Sequence, residues 1–453
     1  MPRNRRFRTF DDAFAWLAER TNYETMATQR YDARTYGLAR VERLLADVGR
    51  PDRAFDVVQV LGSKGKGSTA AALAEVLRAS GRRVGLFTSP HLMDPRERIR
   101  VNGRPAPDRL VRDALASLVP RVERAARRGE PLTFFEVHTV AALLAFRAAR
   151  CDAVVLEAGM GGRLDATTAA DAVCKVLTSV SLDHTQHLGR TRAAIAREKA
   201  AAARKGVPFV SGEITTSAAG RVVAAACRRA GAPLVAIGRD FRVAGVRTSF
   251  DRATRRASTT FRLTPGPSAV PGLSPARLEV PLLGAHQARN AALAAVAAAC
   301  ARWRGGAIRP EHVRRGLART MVRARLEALP GRPLVFVDGA HNPASFGVLA
   351  RTVRDVAPTG PRVFIVGMAA DKDVRGSLRR LRGVTTLVVA TTSGQARALS
   401  PEALARAARS LGLRAETAGD PSSALRQARR RAGKDGTVVV TGSLYLCGAV
   451  LGL

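Results

Sequence analysis

Apolar and polar positions follow two rhythms along this chain. Short runs rich in valine, leucine and phenylalanine recur as "FDVVQVL" (55–61), "RRVGLFTS" (82–89), "DAVVLEAG" (152–159), "CKVLTSVS" (174–181), "VPFVSG" (207–212) and "PLVAIG" (233–238). Longer stretches with helical spacing separate them. Strand-length apolar runs between amphipathic helices predict an α/β fold with a parallel, doubly wound sheet. Over 238–280 the pattern changes to short antiparallel strands around a Pro/Gly/Ser-rich connection. An alanine-rich helix over roughly 285–303 and a second helical stretch near 308–323 follow. Beyond them "PLVFVDGAH", "RVFIVGM", "TLVVATT" and "TVVVTGS" alternate with helices again, which predicts a second, smaller α/β unit. A length of 453 residues is long for one core. The expected division is 1–320 and 321–453, with a hinge within 304–325.

Composition narrows the class. The chain carries 74 Lys plus Arg against 37 Asp plus Glu, for a net charge of +37. Arginine pairs are scattered over its whole length, with no basic tail and no nucleic-acid-binding motif, so no nucleic-acid partner is expected; such a field would still steer in a polyanionic substrate. Only seven of the basic residues are lysines: Lys64, Lys66, Lys175, Lys199, Lys205, Lys372 and Lys434. Where charge alone suffices the sequence uses arginine, so a retained lysine points to chemistry that needs a compact, deprotonatable amine. Five cysteines without CxxC spacing predict free thiols in a reducing compartment. The start, "MPRNRRFRTFDDAFAW", has no apolar signal core, and no apolar run approaches the ~20 residues of a membrane span. A cytoplasmic protein, working as a monomer and without a membrane partner, is expected.

The stretch "VLGSKGKGST" (60–69) ends a strand and opens a helix, where unpaired backbone N–H groups and the helix dipole favour an anion. Gly62, Gly65 and Gly67 allow close approach of phosphate oxygens, Lys66 can reach the β/γ-phosphates, and Ser68 binds or caps nearby. The spacing departs from the strict phosphate-loop pattern, because Gly67 separates lysine from serine.

Further motifs follow in order: "FTSPHLMDPRERIRVNG" (87–103), "TFFEVHT" (133–139), "VVLEAGMGGRLDATT" (154–168), "SLDHTQHLGRTRAAIAREKA" (181–200), "LLGAHQARNAALA" (282–294), "VDGAHNPAS" (337–345) and "VTGSLYL" (440–446). Together they resemble the dihydrofolate synthase/folylpolyglutamate synthase family, within the Mur ligase superfamily, from about residue 31 to the C-terminus. The resemblance implies a parallel-sheet P-loop ATPase domain of the Mur-ligase central type and a smaller, Rossmann-like C-terminal glutamate-ligase domain. It implies Mg²⁺, as two ions, with Ser89, Glu157 and His184 as ligands. It implies nucleotide contacts from Asn290, Arg325 and Asp338, and a carbamylated lysine at Lys199. It assigns the pterin-bearing substrate to Thr133, Phe134, Phe135 and Glu136 and to Leu164, Asp165 and Ala166, and the incoming glutamate to His341 and Ser443. On residue chemistry alone, the adjacent phenylalanines serve equally as core residues, one on each face of a strand, or as a stacking surface. The family's usual asparagine before the Gly-Lys pair is replaced here by Lys64.

The implied activity is ATP-dependent: a substrate carboxylate becomes an acyl phosphate, which the amine of L-glutamate attacks. Lys66, Lys199 and His184 are the candidate catalytic residues. Two rivals are a Mur-type cell-wall peptide ligase, against which "TSPHL" and "TFFE" speak, and a non-enzymatic basic P-loop protein that binds nucleic acid. Whether the acceptor is dihydropteroate, tetrahydrofolate or both is not legible at this level.

Overall fold

The computed structural model describes residues 6–22, 37–182, 185–267, 270, 272–357, 359–395 and 397–453. Its first sheet has 8 strands. They are β1 (Asp56–Leu61), β2 (Val84–Phe87), β3 (Ile99–Val101), β4 (Arg104–Pro105), β5 (Ala153–Glu157), β6 (Ala172–Leu177), β7 (Phe209–Ser211) and β8 (Leu234–Ala236). The order is β4-β3-β2-β5-β1-β6-β7-β8, parallel from β2 to β8 and antiparallel at β3 and β4.

β1 is central and buried on both faces, as its unbroken apolar run requires. Val57, Val154 and Leu156 face one helical layer, which includes Asp108–Arg127 and Phe134–Ala148. Val58, Val60 and Val155 face the other, formed by Lys66–Ala79, Ala285–Cys300 and Pro310–Leu317. Two polar residues interrupt the core. Gln59 and Lys175 are register partners on β1 and β6, and neither is exposed. Gln59 Nε2 donates to the Thr167 and Thr168 hydroxyls at 2.8 and 2.7 Å, while Gln59 Oε1 and Lys175 Nζ have no hydrogen-bond partner among the described residues. Burial, reinforced by the Arg204 guanidinium, pushes the Lys175 amine down to about 7.

The expected antiparallel strands over 238–280 are β9 (Phe241–Asp251), β10 (Arg256–Pro265) and β11 (Ala276–Val280), in the order β11-β10-β9. The last sheet contains β12 (Arg325–Leu329), β13 (Leu334–Asp338), β14 (Arg362–Val366), β15 (Leu387–Ala390), β16 (Ala415–Thr417) and β17 (Thr437–Thr441). Its order is β12-β13-β17-β14-β15-β16, parallel apart from β12. The α/β class expected from the apolar pattern is the class observed.

One local reading needs correction. "TFFE" is not a strand: Thr133 caps a helix that begins at Phe134, and Glu136 completes a reciprocal capping box. The stretch expected to hinge is also partly occupied. The helix Pro310–Leu317 packs so closely on Lys66–Ala79 that a Cβ on Gly316 would run into the backbone of Val76. That helix therefore packs on the first body, and 318–324 runs from it to β12.

Candidate active site

The loop between β1 and the helix Lys66–Ala79 is held from below by the end of β6. The Lys64 carbonyl accepts from Thr178 Oγ1 at 2.7 Å and Ser179 Oγ at 3.0 Å, and the Lys64 N–H donates to Ser179 Oγ at 3.2 Å. Gly62 has φ +148, and a Cβ there would overlap Thr178 Oγ1. Gly65 is left-handed at the helix N-cap and supplies no side-chain cap, so the first-turn N–H groups are left for an anion. Sequence reading missed the anchoring pair Thr178 and Ser179. Their signal was a polar pair directly after an apolar strand run.

Two lysines converge on this loop. Lys66 Nζ donates to the Gly62 carbonyl at 3.2 Å, and Lys199 Nζ donates to the same oxygen at 3.0 Å. Lys199 is buried, 3% exposed. Its helix, Arg192–Ala200, meets the segment after β5: the Arg163 N–H donates to the Glu198 carbonyl at 2.9 Å. Glu157 ends β5 at the carboxyl edge of the sheet, where α/β folds place their ligands. Its Oε2 accepts from the Ser89 N–H at 3.2 Å, and a Cβ on Gly67 would lie 3.4 Å from the same oxygen. Ser68 is buried in the first helical turn. His184 lies outside the described residues. Among those described, no three His, Cys, Asp or Glu side chains form a metal-binding group.

Asn290 lies on the loop itself, since a Cβ on Gly65 would overlap its amide, and its Nδ2 donates to Gln287 Oε1 at 2.9 Å. It sits one turn inside its helix and not at the start. Asp165 caps the short helix Ala166–Ala169, accepting from Met160 N at 2.9 Å and Thr167 N at 3.0 Å. Burial raises its carboxyl pKa, opposed by Thr167, these N–H groups and the nearby Lys66 ammonium. Leu164 and Ala166 flank it on the same segment.

The "TFFE" side chains divide. Glu136 accepts from the Thr133 N–H at 2.7 Å and pairs with Arg40 at 2.8 Å, so Thr133 and Glu136 hold a helix start. Phe134 is buried edge-on to Phe14 and His138, with the Arg98 guanidinium over its ring. Phe135 is half-buried beside Phe87 and reaches the segment after β5, where a Cβ on Gly159 would lie 3.0 Å from its ring.

On the last sheet Arg325 and Asp338 are register partners. Asp338 accepts from the Leu326 and Ala340 N–H groups, each at 2.9 Å. Burial raises its carboxyl pKa, and the Arg325 guanidinium opposes the rise. Arg325 Nη1 donates to its neighbour's carbonyl, Ala324 O, at 2.9 Å. Ser443 caps the helix Leu444–Leu451 by accepting from Tyr445 N at 3.1 Å. His341 extends furthest toward the first body: its Nε2 lies 3.1 Å from Lys64 Nζ.

Residues 60–299 match the Mur ligase middle domain, and residues 324–444 match the Mur ligase glutamate ligase domain. A folylpolyglutamate synthase of Lacticaseibacillus casei is 34% identical over 92% of this chain and 94% of its own length. A probable bifunctional folylpolyglutamate synthase/dihydropteroate synthase of Haloferax volcanii is 39% identical over 90% of this chain, which spans 47% of that longer protein. The solved Mycobacterium tuberculosis folylpolyglutamate synthase complexed with ADP superposes with a TM-score of 0.85 at 31% identity, covering 98% of this chain and 97% of that one. On the strength of the phosphate loop, the three-sheet architecture and these matches, the chain belongs to the dihydrofolate synthase/folylpolyglutamate synthase family of the Mur ligase superfamily.

Proposed function

We propose that this chain is an ATP-dependent ligase that joins L-glutamate to a folate or dihydropteroate carboxylate through an acyl phosphate. The observation that carries the reading is the convergence of Lys66 and Lys199 on one carbonyl of an anion-binding loop, with Glu157 and Ser89 at its mouth. The γ-phosphoryl group passes to the substrate carboxylate, the glutamate amine attacks the acyl carbon, and phosphate leaves. Lys66 and the loop amides stabilise charge on the transferring group. Asn290, Arg325 and Asp338 bind the nucleotide. Phe135, Leu164, Asp165 and Ala166 approach the pterin-bearing substrate; Thr133, Phe134 and Glu136 shape that wall from behind. His341 and Ser443 take the incoming glutamate.

Ser89 and Glu157, with His184, would hold Mg²⁺, and hard oxygen donors at the loop mouth suit it; when bound it neutralises charge on the phosphoryl oxygens. Two ammonium groups on one acceptor repel each other. Once Lys199 gives up a proton, its free amine can add CO2, and loss of a second proton leaves a carbamate anion that relieves the repulsion, which supports a carbamate there and a second Mg²⁺. We place the division between the domains near residue 320 and the working form as a cytoplasmic monomer. The free cysteines suit a reducing compartment, and among the described residues no helix is long and apolar enough to cross a membrane.

The test is an ADP-release assay with glutamate and, in turn, dihydropteroate, tetrahydrofolate and a UDP-muramoyl peptide. Release with either pterin substrate is expected. Turnover of the UDP-linked substrate alone would overturn the reading in favour of a cell-wall ligase.

A further inference from the structure

The residue that departs from the family's usual phosphate loop also reaches the second body. Lys64 and His341 are 277 positions apart in sequence. Both backbones are fixed: Lys64 by Thr178 and Ser179, and His341 by a bond from its N–H to Ser345 Oγ at 3.1 Å. The ring orientation is set as well. His341 Nδ1 is 2.8 Å from the Gly339 carbonyl, which can only accept, so Nδ1 carries the proton. Nε2 of the neutral ring then presents a lone pair, and the Lys64 ammonium donates to it at 3.1 Å. An asparagine is two bonds shorter at this position and has no ammonium to send across.

We propose that Lys64 is a positioning residue: it latches the loop that holds the ATP phosphates to the segment that presents glutamate, so that each site reports its occupancy to the other. This rests on the ligase reading for its consequence and on the 3.1 Å contact for its existence. Both ends sit on the two carboxyl edges of the sheets, where the acyl phosphate and the glutamate amine must meet. A latch here fixes their approach without touching either reacting atom.

The experiment has an arm that needs no activity. Amide hydrogen exchange is followed in peptides covering 62–66 and 339–345 in the wild type, Lys64→Gln and His341→Ala. Each substitution is expected to raise exchange in the opposite segment as well as its own; a change confined to the mutated segment overturns the latch. The second arm measures kcat/KM for glutamate and KM for ATP. Lys64→Gln and His341→Ala should each lower the former by roughly 10-fold, with the double variant no worse than the weaker single. If Lys64 instead serves phosphate alone, Lys64→Gln raises KM for ATP and the two losses multiply, which also overturns the proposal. A wild type that releases no ADP with glutamate defeats the ligase reading, while hydrogen exchange still decides the latch.

Discussion

Lysine chemistry in this chain separates into distinct physical situations, and each gives a test. Lys66 opens the helix after the loop, and among the described residues its Nζ bonds to the Gly62 carbonyl. Lys66→Ala should therefore lower glutamate-dependent ADP release by at least about 100-fold, as removal of a charge aimed at a transferring group does, with little change in thermal stability. Retention of substantial activity would remove Lys66 from the phosphate site. Lys199→Arg keeps the charge yet cannot accept CO2. It should lose most activity, and the wild type stripped of CO2 should slow and recover when bicarbonate is restored; a fully active arginine variant refutes the carbamate. Lys175 serves neither role, being sealed beside Gln59 with no partner among the described residues. Its amine titrates near 7 in the fold against an ordinary 10.5, so the folded chain binds fewer protons than the unfolded one between those values. Stability must then rise with pH through that window, and the full penalty is present below it. Lys175→Met should raise the melting temperature at pH 7, by roughly 2–4 °C per kcal/mol recovered, and flatten the pH dependence from 7 to 10. A variant melting below the wild type at pH 7 would show that the amine is stabilised by something other than its present surroundings.

At the scale of elements, the segment after β2 deserves a test because it carries Ser89 and leans on the other body. The helix Leu444–Leu451 lies against it, and a Cβ on Gly448 would run into the Leu92 carbonyl. Gly448→Val should push 89–94 off its support and lower kcat/KM for ATP roughly 10-fold through misplacement alone, with far-UV circular dichroism unchanged. Unaltered ATP kinetics would mean that this segment holds its shape without the helix. Much of the element map was legible. The strands announce themselves as apolar runs closed by glycine or a polar residue: β1 stops just before Gly62, and β5 and β13 end on Glu157 and Asp338. The start at Thr133 was legible too, as threonine followed three residues later by glutamate, but two adjacent phenylalanines suggested a strand and local capping chemistry won. What no local pattern carries is proximity between distant segments. The burial of Lys199 is decided by how its helix meets the loop after β1, and the reach of Lys64 to His341 and the approach of Leu92 to Gly448 by how two sheets face each other.

Over the whole molecule, the bodies meet at more than the site. Phe250 on β9 packs against Phe336 on β13 with ring centroids 5.0 Å apart, and Arg252 donates to Thr437 Oγ1 at 3.1 Å. This hairpin contact and the Lys64 contact lie on different elements, so the two bodies are joined at separate places and not by the connecting chain alone. The charge of +37 acts at the same scale. A longer glutamate tail on the acceptor adds carboxylates for that field to draw in. Between 20 and 300 mM salt, as the Debye length shrinks from about 20 Å to about 6 Å, kcat/KM should fall more steeply for a polyglutamylated acceptor than for a monoglutamate. Equal slopes would leave the arginine excess without a part in capture. The distribution of amines has a practical corollary. Lys175 and Lys199 are buried, Lys64 and Lys66 sit in the loop, and of the rest Lys205 and Lys434 are exposed while Lys372 is partly covered. An acylating reagent thus meets hardly any competing side chains, and peptide mass mapping with and without nucleotide becomes a footprint of the active site that the protein's own economy in lysine has cleared of background.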